Sequence, residues 1–267
     1  MKKFLSLTLA AIFVVMVFAG CTSEKTKETS SNKKITSLTV GFDQDFPPYG
    51  FVGKDGKFTG FDIEMARALA KNMGAKLVLK PIDWDSKDME LKSGSIDCIW
   101  NGFTINGREK DYTWTDAYMN NSQVFVVRAN SGIKSFDDLA GKIITVQTDS
   151  SAQAALNDKA QAKLLKSFKK LVVCSQYNAA FMDLESGAVD AIAMDIGVAK
   201  YQIKDKESKF KILDKSLSSE QYGIGFKLGN TALRDTVQAE LMKLVKNGTF
   251  AKISKQWFGD DVCILGK

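Results

Sequence analysis

Histidine is absent from all 267 residues of this chain. The side chain that most often serves as a general base near neutral pH, and the commonest zinc ligand, is therefore unavailable. That argues against a hydrolytic triad and a mononuclear zinc site, and no phosphate-binding loop is present. Proline is scarce, with three residues in an otherwise globular composition that is 45% hydrophobic and 25% charged. A long apolar run occurs only at Phe4–Ala19. At about 16 residues it falls short of the roughly 20 that a membrane-spanning helix needs. A basic stripe dense enough to track phosphates is also missing. Of the formal charge of +6, Lys2 and Lys3 hold two and the Thr22–Lys34 stretch a net two, so residues 35–267 carry only +2. Nucleic acid is not an expected partner.

Met1-Lys2-Lys3 followed by Phe4–Ala19 has the charged and apolar segments of an export signal. It ends Val17-Phe18-Ala19-Gly20-Cys21, which resembles the bacterial lipobox, with Phe18 where that pattern usually has Leu. Residues 1–20 are read as a signal peptide, with Cys21 lipidated and residues 21–34 a flexible tether without apolar residues. Ordinary secretion with an incidental Cys21 is the alternative. Cys98, Cys174 and Cys263 remain, an odd count beside apolar runs, and read as free thiols rather than a disulfide framework.

One stretch is written twice. Met89–Asp97, MELKSGSID, aligns without a gap to Met182–Asp190, MDLESGAVD, at an offset of 93 residues. In each copy a helix should end at the glycine, where the backbone turns left-handed, and an apolar run should follow as a buried strand. Strand ends in open α/β sheets face the crevice where ligands bind. The repeat therefore implies two similar lobes that share a cleft, with chance similarity the alternative. Elsewhere, strands at Ser37–Phe42, Lys76–Pro81, Val124–Arg128, Ile143–Gln147, Leu171–Val173 and Tyr222–Phe226 alternate with helices. Asp62 is read as the N-cap of a helix closed by Gly74, and amphipathic helices are expected over Leu233–Val245 and Phe250–Trp257. The pattern is that of mainly parallel α/β sheets.

The segments VGFDQDFPPYGF, GFDIEMARALAKNMG, IDCIWNGFTI with Arg108, IKSFDDLAGKIITVQ and NGTFAKISKQWFG resemble the polar amino acid-binding proteins of bacterial ABC importers, over roughly residues 36–260. The resemblance implies a two-lobed periplasmic binding protein of type II (a Venus-flytrap), each lobe a mainly parallel sheet flanked by helices, joined by two crossing hinge segments. Lobe one would be residues 35–122 plus 221–267, and lobe two residues 123–220.

By the same resemblance Arg108 clamps the ligand α-carboxylate, although the Thr104–Arg108 turn is one residue shorter than usual. A guanidinium matches a carboxylate bidentately and keeps its charge. Backbone N–H groups near Thr104 and at Ser150 or Ser151 complete that pocket. Asp195 takes the α-ammonium, with the Gly102 carbonyl and the Thr104 hydroxyl. Asp43, Phe46, Trp84 and Asn101 line the pocket beyond the α-carbon, with Gln147 a further contact. Each also has a bland reading: a surface charge for Arg108, helix N-caps for Ser150 and Asp195, and a loop-capping carboxylate for Asp43. The expected ligand is a polar, uncharged or cationic L-amino acid (glutamine, cystine, arginine or lysine), bound without cofactor, metal or covalent catalysis. The expected partners are an ABC permease and its ATPase, and the protein is expected to be a monomer anchored outside the cytoplasm at the bacterial cell membrane. The rivals are a dehydratase-like enzyme using cleft carboxylates and a ligand sensor on the same fold.

If Cys21 is the lipidated residue, Cys21→Ser releases the protein from the membrane fraction. Continued membrane retention of that variant after signal cleavage would overturn the lipobox assignment.

Overall fold

The computed structural model describes residues 35–267. The export signal, Cys21 and the tether fall on residues 1–34, outside the described residues. Strand β1 (Ser37–Phe42) leads into β2 (Asp45–Phe46), β3 (Gly50–Val52) and β4 (Phe58–Thr59), the last three forming a small antiparallel sheet of their own. Helix α1 (Phe61–Met73) starts at Gly60, whose φ of 129° and contact with the Tyr49 carbonyl leave no room for a Cβ. It ends at Gly74 in the left-handed region. Asp62 does not cap it, contrary to the expectation. Gly60 holds that position, and the Asp62 side chain turns into the core instead.

Strand β5 (Lys76–Pro81), helix α2 (Lys87–Ser93), strands β6 (Cys98–Thr104) and β7 (Tyr112–Trp114) and the long β8 (Met119–Arg128) follow. Next come β9 (Ile143–Gln147), α3 (Ser151–Asn157), α4 (Ala162–Ser167), β10 (Lys170–Cys174), α5 (Tyr177–Ser186) and β11 (Ala191–Asp195). Helix α6 (Ile196–Ile203), strand β12 (Phe210–Ile212), the long β13 (Ser218–Lys227) and helices α7 (Thr231–Lys246) and α8 (Thr249–Phe258) complete the chain. Both copies of the repeat do what their glycines predict. Helices α2 and α5 end at Gly94 and Gly187, with φ of 79° and 86°, and strands β6 and β11 follow.

Ten strands make one sheet in the order β10-β9-β11-β8-β13-β6-β1-β5, with β12 beside β8 and β7 beside β13. The outer strands at both ends run parallel, β5-β1-β6 and β10-β9-β11, and each set is flanked by one antiparallel strand, β13 or β8. Strands β8 and β13 pair with each other over Met119–Gln123 and Ser218–Tyr222, then diverge. The far end of β8 joins β11 and β12, whereas the far end of β13 joins β6 and β7. Two half-sheets are thus held by one shared strand pair.

A large apolar cluster runs through both halves, from Leu38 and Phe61 to Ile192 and Phe210. A second cluster, with Phe125, Val146 and Leu213, lies wholly within residues 125–217. Cys98, Cys174 and Cys263 are free thiols. Among the described residues no helix is long and apolar enough to cross a membrane.

Asp62 is fully buried and fixes the strand that carries the site. It accepts hydrogen bonds from Trp100 Nε1 at 3.1 Å, the Gly102 amide at 2.6 Å and the Tyr118 hydroxyl at 2.9 Å. Burial pushes its carboxyl up to about 7, against the lowering effect of those donors. The folded state therefore holds this proton more tightly than the unfolded chain. Its contribution to stability is full below the ordinary carboxylate pKa and is lost as pH rises through about 7. Asp62→Ala strands three buried donors, at about 1–3 kcal/mol each. Urea denaturation should show that loss, and Asp62→Asn should have a shallower fall in stability between pH 5 and pH 8 than the parent. An unchanged slope in Asp62→Asn would contradict the assignment.

Candidate functional site

The shared strand pair places polar side chains where apolar ones would be expected. Side chains on a strand alternate between faces, and Met119, Asn121 and Gln123 of β8 are buried while Asn120 is exposed. Opposite them, Glu220 and Tyr222 of β13 are buried, with Ser219 and Gln221 exposed. Register pairs Asn121 with Glu220 and Met119 with Tyr222, so one face of the junction is a buried polar cluster.

Asp195 ends β11 beside this cluster, 4% exposed. It stands at the start of α6 but makes no side-chain cap bond. Its Oδ1 accepts instead from Asn121 Nδ2 at 2.7 Å and from the Tyr222 hydroxyl. Burial, and then the charge of Glu220, push its carboxyl well above the usual range. Glu220, which the sequence reading missed, accepts at Oε1 from Thr104 Oγ1 and Asn121 Nδ2, both at 2.7 Å, and from Gln123 Nε2 at 2.8 Å. The Thr104 hydroxyl is thus engaged with Glu220.

Arg108 lies at the other end of the same network. Its Nη1 reaches the Thr104 carbonyl at 3.5 Å and donates to Ser151 Oγ at 2.8 Å, and Nη2 donates to the Asp149 carbonyl at 3.1 Å. The guanidinium also stands 5.4 Å from the Phe103 ring centroid. It therefore bridges the turn after β6 and the start of α3, where Ser150 caps the helix by accepting from the Gln153 amide. Lys87 was also missed. Its ammonium is buried over Trp84 and pairs with Asp149, a non-glycine residue at φ 55°. Burial lowers its pKa, opposed by Asp149.

Asp43 caps its own loop, as the alternative reading expects, and its second oxygen reaches across to the other half-sheet. Oδ1 accepts from the Asp45 amide at 2.8 Å, the loop-capping alternative, while Oδ2 accepts from Gln147 Nε2 at 2.8 Å on the opposite half-sheet. Burial pushes its carboxyl up to about 6. Asn101 Oδ1 accepts from the Asp43 backbone amide at 2.6 Å and fixes the loop that carries this carboxylate. Phe46 lies between Tyr49 and Tyr177. Gly102 adopts φ 56°, and a Cβ there would sit 3.1 Å from the Phe46 ring. Trp84 meets Phe103 edge-on at 5.4 Å. A cavity of about 550 Å³ opens beside Asp43 and Trp84, also lined by Asp83, Asp85 and Glu90 and by no Lys or Arg. A second cavity, of about 340 Å³, adjoins Ser151 and Glu220. Three contacts run from one half-sheet to the other: Asp43 to Gln147, Arg108 to Ser151 and Lys87 to Asp149. Tyr49 adds another, its hydroxyl seated where Gly197 of α6 leaves space for it.

Two half-sheets of order 2-1-3 extended by exchanged strands, with polar residues gathered at their shared junction, define a type II periplasmic binding protein. Residues 38–260 match the family of bacterial extracellular solute-binding proteins, family 3, and the chain belongs to that family. It is 30% identical over 260 residues to the L-cystine-binding protein TcyJ of Escherichia coli (strain K12), covering 95% of this chain and 96% of the relative. It is also similar to an ABC uptake transporter substrate-binding protein from Streptococcus pneumoniae with bound histidine. That match has a TM-score of 0.81 and 34% identity, and covers 85% of this chain and 94% of the other. An ancestral arginine-binding protein bound to glutamine matches with a TM-score of 0.76 and 36% identity, over 84% and 98% of the two chains.

Proposed function

We propose that this protein captures a polar, uncharged or cationic L-amino acid between two lobes and delivers it, chemically unaltered, to an ABC permease. The lobes are residues 35–122 with 221–267, and residues 123–220. The observation that carries the reading is the connected path from Arg108 through Thr104, Glu220 and Asn121 to Asp195. It presents a fixed cation at one end and a buried carboxylate at the other, the complement of an amino acid's α-carboxylate and α-ammonium. Arg108 takes the carboxylate with help from amides near Thr104, Ser150 and Ser151, and Asp195 takes the ammonium beside Gly102. Because the groups come from both half-sheets, the amino acid favours the closed form, the only one in which all of them touch it. The binding functions in the names of the relatives support the same class of ligand.

The side-chain end is acidic. Asp43, Asp83, Asp85 and Glu90 line the larger cavity, so a cationic or amide-bearing end is favoured and a carboxylate is repelled. Trp84 lines the same cavity, and by the family resemblance Phe46, Asn101 and Gln147 complete the side-chain end. Arginine, lysine and glutamine carry only nitrogen donors or an amide at the far end, whereas cystine brings an ammonium together with a second carboxylate. The protein works as a monomer outside the cytoplasm, held to the membrane by lipid on Cys21.

A thermal-shift screen of the twenty L-amino acids and L-cystine tests the pocket, with the largest shift expected for one of those four. A largest shift with glutamate or leucine would contradict this reading. With the amino acid so found, Arg108→Ala and Asp195→Ala should each weaken binding by about 3–5 kcal/mol, since each strands a buried charge. Arg108→Lys should fail nearly as badly because a point charge cannot replace the fork. Near-parental affinity of Arg108→Lys in calorimetry would place the carboxylate elsewhere.

A further inference from the structure

The junction of β8 and β13 holds more negative charge than any cation beside it balances. Asp195 and Glu220 are 4% and 6% exposed, and a single amide nitrogen, Asn121 Nδ2, donates to both at 2.7 Å. Their other donors, Thr104, Gln123 and Tyr222, are neutral. The titratable groups facing the pair are Tyr222 of β13, Tyr49 of the β2–β3 turn and Tyr177 of α5. Burial pushes each of those phenols well above its ordinary value, so none supplies charge. Among the described residues no Lys or Arg pairs with either carboxylate.

A second observation points the same way. Asn121 Oδ1, Gln123 Oε1 and the Tyr49 hydroxyl are buried without a hydrogen-bond partner, on residues 5%, 0% and 0% exposed. Turning either amide over would surrender its charge-assisted bonds to Glu220, so the two amide oxygens stay bare. A buried acceptor left bare is destabilising, because it has given up its water without gaining a partner. The cluster lacks a group that carries several hydrogens and one positive charge.

We propose that Glu220, Asn121 and Gln123 complete the ammonium site around Asp195, and that an arriving ammonium displaces a proton shared by the two carboxylates. This rests on the amino acid reading above. Before binding, the pair carries one proton and one negative charge. Afterwards the proton has passed to solvent and two carboxylates flank one ammonium, so the buried net charge is unchanged. The exchange avoids burying an additional uncompensated charge, the costliest step such a site faces.

The amino acid giving the largest thermal shift is titrated by calorimetry at pH 7 in phosphate and in Tris, whose ionisation heats differ. The parent protein should release a substantial fraction of one proton per amino acid bound, and its affinity should fall as pH drops from 8 to 5.5, by up to about tenfold per unit. Glu220→Gln should release roughly half as many protons or fewer. Its affinity deficit, about tenfold at pH 8, should shrink as pH falls, because the parent pair then protonates. A purely structural role for Glu220 would leave a deficit independent of pH and overturn the proposal. Binding heats of the parent that do not depend on the buffer would overturn it too, and that comparison needs no variant to fold. Absence of a shift with every amino acid would instead sink the amino acid reading on which this one stands.

Discussion

The antiparallel pairing of Met119–Gln123 with Ser218–Tyr222 is the constraint from which the rest of the architecture follows. Each strand belongs to one half-sheet at its far end and to the other strand at its near end. Alternation then decides what the junction contains: Asn121, Gln123, Glu220 and Tyr222 must point to the same buried side. Apolar residues at those positions would have made a simpler and more stable seam. Polar ones gather hydrogen-bonding capacity where the two halves meet, which is where a molecule held by both must lie.

Electrostatics at this junction is poised rather than balanced. Asp43 and Asp62 have carboxyls pushed up to about 6 and 7, and Asp195 shifts in the same direction, in each case first of all by burial. Asp62 has its donors and serves the strand that carries Asn101 and Gly102. Asp195 and Glu220 share a donor in Asn121, and among the described residues no Lys or Arg pairs with them. The opposite sign of charge sits a short network away, in Arg108 and Lys87, both committed to the loop before α3. A zwitterion matches this separation of charge more closely than a simple cation or anion does.

Much of this was legible in the sequence. The repeated MELKSGSID and MDLESGAVD mark equivalent helix–glycine–strand units, and glycine at the left-handed position is what made them readable. The motifs around Asp43, Arg108, Gln147 and Asp195 led to residues that the fold does bring into one connected neighbourhood. What escaped was the strand pair itself. Sequence patterning starts β8 at Val124 and β13 at Tyr222, where apolar residues begin, but the strands begin at Met119 and Ser218. Their first turns of alternation are written in Asn, Gln, Ser and Glu, which read as loop because strand recognition relies on apolar residues at the buried positions. Glu220 was lost for that reason. Lys87 was lost because a lysine in the first turn of a short helix ordinarily faces water. Asp62 went wrong in the same way: an acid near a helix start looks like a cap, and only the three donors around it reveal a core residue.

A crystal structure of the protein with the amino acid selected by thermal shift would show how the ligand lies. Its α-carboxylate should be within hydrogen-bond distance of the Arg108 guanidinium. Its α-ammonium should sit between Asp195 and Glu220, with the side chain directed toward Asp43. An amino acid bound in the opposite sense, or one seated away from the β8–β13 junction, would contradict this placement.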